Sequence, residues 1–149
     1  MKESLKILKR LQTITGLFSA AACEDTGYSR AWIRDNIYEA IGLEKHDLKA
    51  ALRVYHALLD VLLKHEFKID WAIKEKPDAR HKYIHARYDP LTFEEIWEEW
   101  GNKQNDSIGA LLFKIGELEK KGVKVLRSVH DYRIVQKLVF YLGRVEYWS

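Results

Sequence analysis

Apolar residues at Leu5, Leu8 and Leu11, with Ile7 and Ile14 drifting to one side, recur at helical spacing over the first fifteen positions, and lysines fill the opposite face. This predicts a first helix that ends near Gly16. From Gly16 to Tyr28 no period holds: Ala20, Ala21 and Cys23 are small, and Asp25-Thr26-Gly27 has turn composition, so the segment reads as an unusually apolar loop. A second helical pattern starts at Ser29 or Arg30, with Ser29 as cap, and places Trp32, Ile33, Asn36, Ile37, Ala40 and Ile41 on one side up to Gly42. The third is the longest. Asp47 caps it, Leu48, Ala51, Leu52, Tyr55, Leu58, Leu59, Leu62 and Leu63 form a broad apolar face, and the pattern reaches His65, with a possible extension to Ile73 before Pro77.

From Lys74 to Pro90 the chain is rich in Asp, Arg, His and Lys, holds both prolines and lacks a period, which predicts a long irregular connection of the kind that often carries function. Thr92 followed by Glu95 has the spacing of a capping box and predicts a short helix stopping at Gly101. Ile108, Leu111, Leu112, Ile115 and Leu118 mark the next helix, ended by Gly122, and Val123 to Leu126 reads as a short extended piece. Asp131 opens a last helix carrying Ile134, Val135, Leu138, Val139, Leu142 and Val145. The expected fold is all-α, with strands nearly absent and neighbouring helices antiparallel.

Composition narrows the functional classes. The 149 residues suit one domain, 1–149, and 47% apolar with 32% charged residues are enough to build a core. Lys and Arg number 25 against 22 Asp and Glu, interspersed to a formal charge of +3, so a nucleic-acid partner has no support. Cys23 is the single cysteine, which excludes an intrachain disulfide and a multi-cysteine metal site. No apolar run has signal-peptide length or approaches 18 residues, so no membrane partner is expected and the reading is a cytoplasmic protein.

Several apparent motifs carry little chemistry. His81 and His85 are four apart, but their segment lacks helical pattern, and Arg80, Lys82 and Arg87 around them oppose a cation, so no metal is expected. Glu94, Glu95, Glu98 and Glu99 read as a solvated face at a helix start. Ser128, His130 and Asp131 hold the residue types of a hydrolase triad without a Gly-x-Ser-x-Gly elbow, and glycine-rich phosphate loops and dinucleotide fingerprints are missing, so no cofactor is expected. Two segments carry more. Trp32-Ile33-Arg34-Asp35-Asn36 puts an indole, a guanidinium and a carboxylate at a helix start directly after the apolar loop. Trp97 to Asp106 gathers two tryptophans, three amides and carboxylates around Gly101. An aromatic face with planar polar groups suits a pyranose, although ordinary core tryptophans and loop amides have the same composition.

These residues resemble a known family. Thr15-Gly16-Leu17-Phe18-Ser19-Ala20, then Glu24-Asp25 and Ala31-Trp32-Ile33-Arg34-Asp35-Asn36-Ile37-Tyr38, resemble the N-terminal signature of glycoside hydrolase family 15, closest to the branch that includes the phosphorylase kinase α and β subunits, with glucoamylases more distant. His85-Ala86-Arg87-Tyr88, Trp100-Gly101 with Gln104-Asn105-Asp106, and Val135 to Leu142 are similar to later family segments, in the same order. The resemblance implies five or six helices of a partial (α/α)6 toroid, the N-terminal half of the barrel, with a glucose-end pocket at one mouth. It implies that Arg34 and Asp35 hold hydroxyls of a terminal glucose, that Trp100 forms the pocket wall, that Gln104 and Asp106 fix the following loop or reach the sugar, and that Trp32 lines or buttresses the pocket. The implied ligand is an α-glucan, an oligosaccharide or a glucose end.

Inverting hydrolysis needs a carboxylic acid and a carboxylate about 6.5–9.5 Å apart. In the family the acid follows the last matched helix in a tryptophan-glutamate segment. Here the alignment puts Ser149 a few residues short of it or, shifted, puts Ser149 on the acid itself, so no catalytic residue is carried over. Half a toroid would leave apolar helix faces uncovered, which predicts a homo-oligomer or a complementary chain. Three readings follow: a glucose-positioning domain without the acid and base and inactive alone, one piece of a split glucan or trehalose hydrolase, or a non-catalytic structural or regulatory module.

Overall fold

The computed structural model describes residues 2–20, 30–97 and 104–145. Among them are six helices: α1 (Lys2–Leu11), α2 (Ile33–Leu43), α3 (Leu48–Lys64), α4 (Glu66–Lys74), α5 (Asn105–Lys120) and α6 (Val129–Arg144). Two short strands, β1 (Ala31–Trp32) and β2 (Arg87–Tyr88), pair antiparallel with Ala31 opposite Tyr88 and Trp32 opposite Arg87. The chain divides into two compact units, residues 1–58 with 87–98 and residues 59–86 with 99–149.

In the first unit α1 ends four residues earlier than its pattern suggests. Gln12 pairs with Phe18, and the chain reverses between them through Thr13 N–H to Leu17 O at 2.8 Å and Gly16 N–H to Thr13 O at 3.1 Å. Gly16 has φ +106°, and a Cβ there would lie 2.5 Å from the Arg53 carbonyl oxygen, so the turn admits only glycine. Arg53 Nη2 donates to the carbonyls of Thr13 and Ile14. The apolar loop thus begins as a pinned reverse turn that delivers Leu17 and Phe18 to the core.

Asn36 joins that turn to α2. Its Oδ1 accepts from Phe18 N–H at 2.7 Å, while its Nδ2 donates to Phe18 O at 3.1 Å and Trp32 O at 2.9 Å. The amide is 1% exposed, and its bonds compensate its burial among Ile33, Ile37, Ala40 and Leu43. Helix α2 starts at Ile33 rather than at Ser29 or Arg30 because Ala31 and Trp32 are taken by the ladder with β2, which leaves Trp32 extended at the N-cap. Ser29 itself lies outside the described residues. At α3 the predicted cap forms, Asp47 Oδ1 accepting from Ala50 N–H at 3.0 Å.

The helix predicted from Thr92 is absent over residues 92–97. Asp89 Oδ1 accepts from the amides of Leu91 and Thr92, Phe93 adopts φ +61°, and Glu95 forms a bridge to Tyr88. A side-chain-stabilised turn and an added β contact have displaced the capping box.

In the second unit the helical pattern expected to run toward Ile73 breaks at His65 (φ −104°, ψ 22°), and α4 follows as a separate helix bound to α6. Glu66 receives Arg133 at 2.7 Å and Lys137 at 2.9 Å, and Asp70 receives Lys137 at 2.6 Å. Ile69, Ala72, Ile108, Leu111, Ile115, Leu118, Ile134 and Leu138 form the apolar interior, the stripes that helical periodicity predicts. Helix α5 ends at Lys120, and Gly122 (φ +81°) turns the chain away just after it. Residues 123–126 form no strand, since Glu119 Oε1 takes the amides of Val125 and Leu126 at 2.8 and 2.7 Å. Helix α6 begins at Val129, two residues before Asp131, whose buried carboxylate folds back to accept from Arg127 N–H and Nε. That bond and Asp60 raise the pKa of Arg127 above its already high ordinary value.

Candidate functional site

The start of α2 brings three of the expected residues into one turn. Ladder pairing sets Trp32 and Arg87 side by side, and the Arg87 guanidinium carbon lies 5.1 Å from the Trp32 ring centroid. Arg87 is buried, and a desolvated cation over an indole contributes about 2 kcal/mol, so this contact fixes the plane of Trp32. Helix α2 buries Ile33, Asn36, Ile37 and Ala40, which turns Arg34 and Asp35 off the core: Arg34 is half-buried and Asp35 exposed. Partial desolvation raises the Asp35 pKa, against the lowering effect of the neighbouring Arg34 charge.

Glu39, which sequence reasoning did not select, stands one helical turn beyond Asp35. Burial first, and the Asp35 charge second, push its pKa up to about 7. Its Oε2 is buried with no hydrogen-bond partner among the described residues. The signal available in the sequence was the i, i+4 spacing from Asp35. Arg34, Asp35 and Glu39 therefore offer a forked donor, an acceptor, and a carboxyl that near neutral pH exists in both donating and accepting forms. This is a set suited to hydroxyl groups.

Gln104 and Asp106 stand together at the start of α5, in the second unit. Gln104 occupies the N-cap, its carbonyl accepts from Ser107 Oγ at 2.6 Å, and its side-chain Oε1 is buried without a hydrogen-bond partner among the described residues. Asp106 is exposed in the first turn, where the helix dipole favours a negative charge. Trp100 lies outside the described residues, as do Glu98 and Glu99, while Trp97 is exposed.

The weaker motifs resolve separately. His81 is exposed in a 3-10 turn, Arg80–Lys82, whereas His85 is buried. Among the described residues no group of three His, Cys, Asp or Glu side chains could hold a metal ion. His130 Nδ1 meets Arg133 at 2.7 Å while Asp131 holds Arg127, so His130 and Asp131 form different bonds from those a triad requires. No described helix is long and apolar enough to cross a membrane.

Over residues 3–149 the chain matches the sequence profile of Glycosyl hydrolases family 15. The chain belongs to this family. Its curated relatives include the probable phosphorylase b kinase regulatory subunit alpha of Drosophila melanogaster, 25% identical over 91% of this chain, and the liver isoform of the alpha subunit from Mus musculus, 22% identical over 87%. The chain spans 12% of the length of each. Among solved structures it is similar to a glycosidase glutamate-to-alanine variant in complex with glucose, with TM-score 0.73 and 21% identity over 95% of this chain and 38% of that one. A second glutamate-to-alanine glycosidase variant gives TM-score 0.74 with the same coverage. The six described helices, compatible with part of an (α/α)6 toroid, and the likeness to phosphorylase kinase alpha subunits agree with the resemblance read from the sequence.

Proposed function

We propose that residues 1–149 correspond to the N-terminal half of a family 15 glycosidase-like domain and bind the terminal glucose of an α-glucan or oligosaccharide. The observation that carries this reading is the Arg34–Asp35–Glu39 face of α2, rising from a turn in which buried Arg87 holds Trp32. Arg34 and Asp35 take sugar hydroxyls, and Trp32 buttresses them. Trp100, Gln104 and Asp106 keep the roles that the family resemblance implies for them. In this reading the domain lacks the general acid and base and is inactive alone, and a single cysteine suits a reducing cytoplasmic setting.

Calorimetric titration with maltose and with acarbose tests the reading, using the unmutated chain and Arg34→Ala. Heat of binding at millimolar ligand that the substitution removes supports it. No heat from the unmutated chain overturns it.

A second arrangement is favoured by α6, where Val129, Tyr132, Val139 and Phe140 are all more than half exposed. A homo-oligomer or a complementary chain covers this stripe. In the split-hydrolase form the partner brings both reactive carboxyls, and glucose release from a mixture of the two chains, absent from either alone, is the expected result. In the structural or regulatory form, toward which the kinase-subunit relatives point, assembly occurs without glucose release.

A further inference from the structure

The first unit holds a cleft of about 280 Å3 that the glucose reading does not use, between the end of α1 and the start of α3, lined by Lys9, Gln12, Asp47, Lys49, Ala50 and Arg53. Lys9 pairs with Asp47 Oδ2 at 2.9 Å, and Oδ1 of that carboxylate caps Ala50. Arg53 uses Nη2 for the carbonyls of Thr13 and Ile14, and its Nε and Nη1 make no hydrogen bond among the described residues. Lys49 is exposed one helical turn before Arg53, on the same face of α3. It makes no hydrogen bond or ion pair there and feels only the charge of Asp47, already engaged by Lys9. Three cations thus face one carboxylate. The excess extends beyond the cleft: segments 6–14 and 44–56 carry six lysines and arginines against two acids, while the whole chain has a formal charge of +3, so the remainder is slightly acidic. Ile14, whose carbonyl Arg53 holds, is 89% exposed, so the pinned turn presents an apolar side chain within one residue's reach of the guanidinium.

We propose that this cleft docks an acidic segment of a partner protein in which an apolar residue adjoins the acid. A carboxylate takes the donors that Lys49 and Arg53 leave unused, in charge-assisted hydrogen bonds, and the apolar residue covers Ile14. The concentrated positive charge steers the segment in. A nucleic acid fits less well, because no aromatic side chain lines the cleft to stack a base. A lipid surface is flat, whereas these donors line a hollow. The site does not depend on Arg34, Asp35 or Glu39.

The test titrates the nitrogen-15 labelled full chain with a capped peptide of sequence Glu-Glu-Leu-Glu-Glu, with a version carrying glutamine at every glutamate, and with one carrying serine in place of leucine. The acidic peptide is expected to shift the backbone amides of residues 12–16 and 47–53 saturably, to bind at least about ten-fold more tightly than the glutamine version, and to weaken as salt is added. Lys49→Glu reverses a charge that makes no bond in the fold and lowers affinity at least about ten-fold, while Lys49→Arg retains binding. Lys124→Glu, an equal change in net charge at an exposed position in the second unit, leaves it nearly unchanged. Ile14→Ser weakens the leucine peptide and not the serine one, whereas damage to the turn would weaken both. Arg34→Ala leaves the response intact, which separates this site from the glucose reading, and circular dichroism confirms that the variants remain folded. No saturable shift, equal affinity for the glutamine version, or equal losses in Lys49→Glu and Lys124→Glu overturns the proposal. Tighter binding to phosphatidylserine vesicles or to a single-stranded oligonucleotide than to the acidic peptide overturns it as well.

Discussion

Replacing Asn36 with Ala tests how the turn at Gly16 is fastened to α2. The side chain is 1% exposed and makes three hydrogen bonds, two of them to the backbone of Phe18, which is itself 1% exposed. Alanine strips Phe18 of its amide acceptor and its carbonyl donor together. A buried backbone group left unsatisfied costs about 1–3 kcal/mol, and partial water entry reduces the sum of two, so the expected loss is about 2–4 kcal/mol. Against a typical total stability of about 5–15 kcal/mol that is a large share. Urea denaturation followed by circular dichroism measures it, with exposed Tyr38→Ala as a control expected to stay within about 0.5 kcal/mol. A loss below about 1 kcal/mol for Asn36→Ala, at unchanged denaturant slope, would refute the reasoning that this amide holds the segment in place.

Three further outcomes follow from the same structure. Glu39 binds its proton at about pH 7 when folded instead of at 4.5, so its ionisation costs nothing below pH 4.5, weakens the fold progressively between 4.5 and 7, and adds no further loss above that. At about 1.36 kcal/mol per unit the ceiling is about 3 kcal/mol, and Glu39→Gln should flatten the fall in melting temperature across that window. Glu66 behaves oppositely: the Arg133 hydrogen bond, with Lys137 second, lowers its pKa from 4.5 to about 2, so its contribution is complete above pH 4.5 and disappears as pH falls to 2. Glu66→Gln should lower stability at neutral pH and remove this part of the acid transition in a pH-dependent melting series. Gly16→Ala should cost about 2–4 kcal/mol through its left-handed φ and the contact with Arg53, whereas Gly116→Ala on the open face of α5 should gain about 0.5–1 kcal/mol by thermal melting.

The long helices were legible because each buries one stripe whose period is local: Tyr55, Leu58, Leu59 and Leu62 in α3, Ile134, Leu138 and Leu142 in α6. The departures come from partners distant in sequence. Nothing near Trp32 announces that Arg87 will pair with it, and this pairing delays the start of α2. Thr92 and Glu95 satisfy a local helix rule, but Asp89 captures the amides and Tyr88 pairs with Glu95. The same distinction applies at the candidate site. Trp32, Arg34 and Asp35 share one turn, as do Gln104 and Asp106, because a motif of adjacent residues carries its own geometry. Glu39 needed the structure, since its spacing from Asp35 was visible but its partial burial was not.

The most direct measurement of the central claim is a backbone and indole chemical-shift titration of the full chain with maltose. Saturable shifts concentrated at the Trp32 indole and at residues 34–39, abolished by Arg34→Ala while the rest of the spectrum is retained, are the predicted result. Shifts that do not saturate, or that appear equally in Arg34→Ala, would contradict the assignment of a glucose end to the first turns of α2.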